Sequence, residues 1–167
     1  LPGGYLTDST PGTTAQATAG AVPNATFLFW SASDGEGGAA TESVTINQTV
    51  GANPLTLTAW YLPTGGDGTG GPAVLLDAFS LSLGDFVDDD FVVVTSDPAL
   101  TSQANVAGVV PTGSAQTLDA LTTVHSQTFV EWIGTGTPSG EVLSLDAGVS
   151  GFAIATYRTK KISIPRP

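Results

Sequence analysis

The feature that most constrains the fold is an alternation of apolar and hydroxyl-bearing residues along short runs. Residues 26–30, 43–47 and 55–61 follow this pattern. Successive side chains of a β-strand point to opposite faces, so each run places its apolar residues inward and its hydroxyls outward. Gly-, Asp- and Pro-containing segments such as 34–38 and 51–54 separate the runs and are typical of hairpin turns. The pattern predicts an all-β protein.

Further strand candidates follow in the second half of the chain. Residues 73–81 and 91–95 flank an acidic turn, and the Val-rich second run is typical of a buried strand. Asp97 and Pro98 precede an Ala-containing stretch that stops at Gly108, which predicts one short helix near Pro98–Ala107. With about eight strands in all, we expect a two-sheet β-sandwich, or jelly roll.

The domain organisation expected from the sequence is an arm followed by one sandwich. Residues 1–20 are rich in Gly, Thr, Pro and Ala and have no apolar period, which indicates an extended N-terminal arm. Residues 21–167 then form the β-sandwich domain. The Gly-rich stretch 64–72 is either a long loop or a seam between two small β domains.

The last third of the chain repeats part of the first. Residues 128–132 match 26–30, and residues 154–157 match 57–60. Glu141, Leu143 and Leu145 similarly match Glu42, Val44 and Ile46. Two interpretations remain: an old duplication of a three-stranded unit, or the ordinary reuse of similar strands in a β protein.

Charge and cysteine content exclude several classes of protein. The net charge is −11 and only 11% of residues are charged, while 41% are hydrophobic, so the chain is expected to fold. All four cationic residues lie in the last ten positions: Arg158, Lys160, Lys161 and Arg166. Nucleic-acid binding is not expected without an upstream basic groove. The absence of Cys rules out disulfides and thiolate metal sites.

The sequence favours an extracellular or cell-surface location. Residues 1–157 contain no Lys or Arg and so offer no site to trypsin-like proteases, which suits a protein outside the cell; an acidic proteome would produce the same bias. The chain contains no Met, so it is expected to begin after a cleaved leader or to be an excised fragment. No apolar run reaches the ~18 residues of a membrane span, and no membrane span is expected.

Catalysis is not predicted. The single histidine, His125, has Ser114, Asp119 and Ser126 nearby in sequence, but no nucleophile-elbow motif accompanies them. Glu131 and Glu141 are the best-placed pair of carboxylates for glycoside hydrolysis. A small hydrolase is therefore the least favoured of three hypotheses, and we expect a protein that is not an enzyme.

An acidic turn is the candidate metal site. Its four carboxylates fall within six residues: Asp85, Asp88, Asp89 and Asp90. Calcium prefers such oxygen ligands, although the spacing differs from that of the regular calcium-binding loop. The alternatives are a solvated acidic turn and a contact with the positively charged C-terminal end.

Aromatic residues define a candidate ligand-binding surface. Trp60, Tyr61 and Trp132 are candidates for stacking against surface glycans. Trp60 and Tyr61 are consecutive on a strand, so they point to opposite faces and at least one is expected near the surface. Trp30 and Trp132 also have a simpler interpretation as core residues. A carbohydrate- or ligand-binding module is the second hypothesis.

Two Asn-x-Thr sequons, at Asn24 and Asn47, are acceptors for N-glycosylation in a host that has the machinery. Such matches arise often by chance in a Thr-rich chain.

The leading hypothesis is a structural subunit of a cell-surface appendage, sheath, adhesin or virion, forming a homo-oligomer or a filament-like polymer. An extended arm can add to the sheet edge of a neighbour, and the basic C-terminal end can meet the acidic body of the next copy. The candidate assembly residues are Tyr5, Leu6, Arg158, Lys160, Lys161, Ile162 and Ile164.

Overall fold

The computed structural model describes residues 2–8, 10–34, 38–63, 72–87, 92–93 and 108–159. These residues form strands joined by turns, and none of them is helical. The strands, in chain order, are β1 (Pro2–Asp8), β2 (Thr14–Thr18), β3 (Ala25–Ser33), β4 (Gly38–Thr41), β5 (Thr45–Thr49), β6 (Leu55–Pro63), β7 (Ala73–Ser80), β8 (Asp85–Phe86), β9 (Val92–Val93), β10 (Gly108–Pro111), β11 (Gln116–Ala120), β12 (Thr123–Val124), β13 (Gln127–Gly134), β14 (Thr137–Ser139), β15 (Val142–Leu145) and β16 (Gly151–Thr159).

The prediction of an all-β, sandwich-like fold is confirmed, with more strands than the expected eight. Sheet A has the order β1-β6-β3-β4, and sheet B consists of β2 and β5. Sheet C has the order β10-β7-β16-β13-β12 with β8 paired to β7, and sheet D has the order β14-β15-β11-β9. Strands such as β4 (Gly-Ala-Ala-Thr) and β14 (Thr-Pro-Ser) escaped prediction because they have little apolar contrast and are held by backbone pairing. In the described part of the chain, no helix is long and apolar enough to cross a membrane.

Three apolar cores connect the four sheets. The N-terminal core lies between sheets A and B and includes Trp30, Ile46 and Leu57. The C-terminal core lies between sheets C and D and includes Leu76, Leu118, Trp132, Leu143 and Tyr157. The central core joins sheet A to sheet C through Leu28, Phe29, Trp60, Phe79, Leu81 and Ile154. The sheets therefore stack in the order B, A, C, D, as two sandwich-like halves placed against one another.

Close backbone contacts also join the two halves. A Cβ atom added to Gly38 of β4 would lie 2.2 Å from the carbonyl oxygen of Leu81, so this contact requires a glycine. The Ser33 hydroxyl donates to the carbonyl of Ser82 over 3.0 Å. Arg158 of β16 donates a hydrogen bond to the carbonyl of Gly38. Residues 64–71 of the predicted seam lie outside the described ranges.

The N-terminal segment is not a free arm. Its first part, β1, pairs antiparallel with β6 from Gly4 opposite Ala59 to Asp8 opposite Leu55. Its second part, β2, pairs with β5 and buries Ala15 in the N-terminal core. The expectation of a separate arm over 1–20 is corrected because backbone hydrogen bonds allow a Gly- and Thr-rich segment to join a sheet without large apolar side chains.

The two halves contain the same arrangement of aromatic rings. One triad is Phe27, Trp30 and Tyr61, and the other is Phe129, Trp132 and Tyr157. The Phe and Trp ring centroids lie 6.3 Å apart in the first triad and 6.1 Å in the second. The Phe and Tyr centroids lie 5.6 Å and 5.9 Å apart, with the rings edge-to-face in both. Each triad anchors the core of its own half.

Hydrogen bonds and strand registers repeat as well. The indole nitrogen of Trp30 donates to the carbonyl of Val44 over 2.9 Å, and that of Trp132 donates to the carbonyl of Glu141 over 2.7 Å. Ala17 lies opposite Ile46 in sheet B, as Leu118 lies opposite Leu143 in sheet D. Pairing of β3 with β6 and of β13 with β16 is irregular just after the Phe of each triad. These shared features favour duplication over reuse of common strands.

The structural correspondence also corrects two steps of the sequence alignment. It equates Leu143 with Ile46, whereas the sequence comparison aligned Leu143 with Val44. The sequence comparison aligned Tyr157 with Trp60, whereas the structure aligns it with Tyr61, because Phe129 is opposite Tyr157 and Phe27 is opposite Tyr61. The pair Thr58-Ala59 in β6 and the pair Ala155-Thr156 in β16 contain the same two residue types in reverse order, so a one-residue slip was not visible in sequence. Such a slip would exchange the two faces of the strand.

Candidate functional site

The aromatic residues proposed for glycan stacking are buried. Trp60 is 6% exposed and Tyr61 is 5% exposed, so the expectation that one of them would reach the surface is wrong. They do point to opposite faces of sheet A, but a core covers each face: Trp60 lies in the central core and Tyr61 in the N-terminal core. Trp60 packs edge-to-face on Phe86, with ring centroids 4.9 Å apart.

The third proposed stacking residue is also part of a core. Trp132 is 6% exposed in the C-terminal core, as Trp30 is 5% exposed in the N-terminal core. The interpretation of these two residues as core is the one the structure supports. A flat stacking platform requires an exposed ring face, and none of the three proposed ligand-binding residues provides one.

The two proposed catalytic carboxylates lie on opposite sides of sheet C. Glu131 is exposed on β13, one residue before Trp132, which points into the C-terminal core. Consecutive strand residues point to opposite faces, so Glu131 faces away from that core. Glu141 precedes β15 of sheet D, which lies across the C-terminal core from sheet C. The pair therefore does not face a common cleft.

The histidine lies in a tight turn at the surface. His125 has φ +42° and Ser126 has φ +65°, and both are exposed between β12 and β13. Ser114 lies in a bend before β11 and Asp119 lies near the end of that strand, so neither belongs to the turn that holds His125.

Of the four proposed metal ligands, the structure describes one. Asp85 is exposed, and its carboxylate accepts a hydrogen bond from the backbone nitrogen of Phe86 over 2.8 Å. Asp88, Asp89 and Asp90 lie outside the described residues. Among the residues that are described, no three His, Asp or Glu side chains are grouped as metal ligands.

Both sequon asparagines are exposed in the structure. Asn24 occupies a turn before β3 with φ +58°. Asn47 lies on β5, where its side-chain oxygen accepts a hydrogen bond from the Gln16 amide over 2.6 Å. Their glycosylation remains a prediction.

The strongest candidate site is the edge of sheet A formed by β1. Leu6 is 44% exposed, Thr7 is exposed and Asp8 is half-buried, and none of these side chains belongs to a core. Cross-strand contact with β6 includes a 3.2 Å hydrogen bond between the hydroxyls of Thr7 and Thr56. None of the described side chains of β1 thus anchors it in a core, and the strand pairs with β6 through its backbone.

A groove of about 410 Å³ borders this edge and is lined by Ser33, Asp34, Thr56, Thr58, Ser82 and Leu83, among others. Thr56 connects the groove to β1 through its hydrogen bond to Thr7. At the rim, Leu83 is 72% exposed in the turn after β7, the most exposed large apolar side chain among the described residues. The groove thus combines hydroxyl groups and the Asp34 carboxylate with the apolar side chains of Pro54 and Leu83.

The remaining assembly candidates divide between described and undescribed residues. Tyr5 pairs with Thr58 through its backbone, and Leu6 pairs with Leu57. Arg158 is exposed and bonded to Gly38 within its own chain, so its hydrogen bond joins the two halves. Lys160, Lys161, Ile162 and Ile164 lie outside the described residues.

Sequence reasoning missed the second edge of sheet A. In the described part of the chain, β4 pairs with β3 on one side and with no strand on the other. Its residues are Gly-Ala-Ala-Thr, and sheet B exposes similar edges at β2 (Thr-Ala-Gln-Ala-Thr) and β5 (Thr-Ile-Asn-Gln-Thr). The one detectable signal was the absence of charge from these segments.

These elements define an all-β protein built from stacked, sandwich-like sheets. Comparison of the chain with known protein families, curated proteins and solved structures finds no match.

Proposed function

We propose that this chain is a non-catalytic, extracellular structural subunit that assembles with copies of itself. The observation that carries the proposal is the absence of guarding charge on the β4 edge of sheet A and on both strands of sheet B. The strands β2, β4 and β5 contain no charged residue and no proline, whereas β1 carries Pro2, Asp8 and a register shift between Pro2 and Gly4. Natural monomers protect such edges with lysines, prolines or bulges, since unpaired backbone groups recruit strands from other molecules.

The composition of the surface supports the same function. The N-terminal 157 residues have no Lys or Arg, so no lysine side chain is available to block strand addition there. Exposed Thr pairs, such as Thr18 and Thr45 with hydroxyls 3.0 Å apart, cover sheet B instead of ion pairs. A neutral, hydroxyl-rich surface of this kind suits a filament, sheath or adhesin in which copies meet edge to edge.

The experiment introduces a lysine on an edge strand. Ala39→Lys places a charge on β4, and a lysine at an edge opposes strand addition. Ser144→Lys is the matched control, because Ser144 is exposed on β15, which pairs on both sides within sheet D. Negative-stain imaging and native mass measurement should show that A39K weakens assembly while S144K leaves it unchanged. Equal assembly by both variants would refute a role for this edge, and a monomeric parent would refute the function.

A further inference from the structure

Equivalent strands of the two halves have neighbouring strands whose side chains differ greatly in burial. Strand β6 corresponds to β16, since Tyr61 and Tyr157 occupy the same place in the two aromatic triads. On the side away from β3, strand β6 pairs with β1. On the side away from β13, strand β16 pairs with β7. The position beside β6, called here the β6 slot, is thus the counterpart of the position that β7 fills in the other half.

The strand β7 fills its position with buried apolar side chains. Val74, Leu76 and Ala78 lie opposite Gly151, Ala153 and Ala155, and each of these three β7 residues is at most 2% exposed. At the corresponding places in the β6 slot, β1 presents Asp8, Leu6 and Gly4, opposite Leu55, Leu57 and Ala59. Leu6 is 44% exposed where Leu76 is fully buried. The described side chains of β1, at residues 6–8, therefore bury little apolar surface in the β6 slot.

The connection between β1 and β2 allows the strand to leave. The last three residues of this connection, 11–13, form a turn in which Gly12 has φ +83°. The backbone nitrogen and the hydroxyl of Thr13 both donate to the carbonyl of Thr10, which is local to the turn. Gly12 and Thr13 are also bonded to Val50: the Gly12 nitrogen donates to the Val50 carbonyl and the Val50 nitrogen donates to the Thr13 carbonyl, each over 2.9 Å. The turn therefore stays attached to the body of the protein, and β1 leaves by opening on the N-terminal side of Gly12. An opened β1 of seven residues is roughly 24 Å long at 3.4 Å per residue, which is enough to reach an adjacent copy.

We propose that β1 is an exchange strand, which leaves its own β6 slot and occupies the β6 slot of a second copy. This inference rests on the proposed function and names one contact by which its copies are joined. The second copy is the fitting occupant because its β1 is identical and makes the same register with β6. Exchange of an identical element retains every pairing of the closed form and joins the copies, as in domain swapping.

The absence of cysteine makes a cross-linking test direct. In an equimolar mixture, one set of copies carries Thr7→Cys and the other Thr56→Cys, at hydroxyl positions that are 3.2 Å apart in the paired strands. The matched control mixes Thr18→Cys with Thr45→Cys, whose hydroxyls are 3.0 Å apart but whose strand β2 anchors Ala15 in the N-terminal core. Each pair placed in a single chain should close an internal disulfide on dilution, which confirms its geometry.

Both mixtures are co-assembled and then oxidised. Exchange predicts a yield of disulfide-linked dimers from T7C with T56C that is on the order of a hundredfold above the yield from T18C with T45C. The reason is that paired strands hold the two thiols at millimolar effective concentration. Assembly without excess T7C–T56C product would overturn the exchange and leave the proposed function standing. A cross-link between T56C and Ile164→Cys instead would place the C-terminal segment of a second copy beside β6 and would also overturn it. A parent that stays monomeric would refute both proposals.

Discussion

At the scale of single residues, Tyr157 and Tyr61 form a natural pair for measurement. They occupy equivalent places, yet the Tyr61 hydroxyl donates to the carbonyl of Gly20 over 2.6 Å. The Tyr157 hydroxyl is buried without a hydrogen-bond partner among the described residues. We expect Tyr61→Phe to cost about 0.5–1.5 kcal/mol, whereas Tyr157→Phe is neutral or stabilising because it removes an unpaired buried group. Urea unfolding of the two variants at neutral pH measures the difference.

Tyr157 also predicts a loss of stability at high pH. Burial, followed by the nearby charges of Asp119 and Glu141, raises the pKa of Tyr157 from 10.0 to about 12. The unfolded state ionises first, so the contribution is complete below pH 10 and is lost as the pH rises towards 12, at roughly 1.4 kcal/mol per pH unit. Y157F should show a shallower decline between pH 10 and 12 than the parent. Identical slopes would contradict this account of the buried phenol.

Gly38 tests how the two halves are joined. An alanine at this position would bring its Cβ atom within 2.2 Å of the Leu81 carbonyl oxygen and 2.6 Å of that of Ala32. We expect Gly38→Ala to destabilise by about 1–3 kcal/mol through forced backbone shifts. Gly113→Ala is the control, because nothing lies within 4 Å of its added Cβ atom. Thermal unfolding in which both variants match the parent would show that this close contact is not needed.

At the scale of elements, β1 and β7 should differ in their contribution to stability. Leu6→Ala removes a side chain that is 44% exposed, and surface changes of this kind usually stay within about 0.5 kcal/mol. Leu76→Ala, at the equivalent place in the other half, empties a fully buried site and should cost about 2–5 kcal/mol. Chemical denaturation compares them. A loss for L6A as large as that for L76A would show that β1 is anchored as firmly as β7.

The strands that sequence predicted well are those with apolar alternation. Residues 26–30 and 55–61 fall within β3 and β6, and 73–81 covers β7. The short strand β4 was missed because its Gly-Ala-Ala-Thr sequence has no apolar period and is positioned by its neighbour β3. Residues 97–107, which contain the predicted helix, lie outside the described ranges.

The candidate site was predicted in part, because sequence patterns report one face of a strand and not the layer beyond it. Leu6 was recognised as an assembly residue from the arm's shortage of apolar anchors, and it is exposed on β1. At least one of Trp60 and Tyr61 was expected near the surface, because nothing in their strand reveals that a second sheet covers each face of sheet A. The open edge at β4 depends on the order of strands within sheet A, which local patterns do not encode.

At the scale of the whole molecule, assembly should depend weakly on salt. The chain carries a net charge of −11 with its cations at the C-terminal end, so charge orients the copies while strand pairing holds them together. Raising the salt concentration to about 1 M screens exposed charges beyond roughly 3 Å and should weaken association only in part. Light scattering measures the dissociation. Complete dissociation at high salt would show that ion pairs rather than sheet edges hold the assembly.

The central claim is that copies of this chain associate, and the native mass in solution tests it most directly. Sedimentation velocity over a wide concentration range, with the parent and a variant lacking residues 1–8, gives the distribution of species. The account predicts that the parent forms species of several copies that grow with concentration. It predicts that the truncated chain remains folded, because the described side chains of β1 belong to no core, and that it forms smaller species than the parent. A parent that sediments as a single chain at every concentration would contradict the claim.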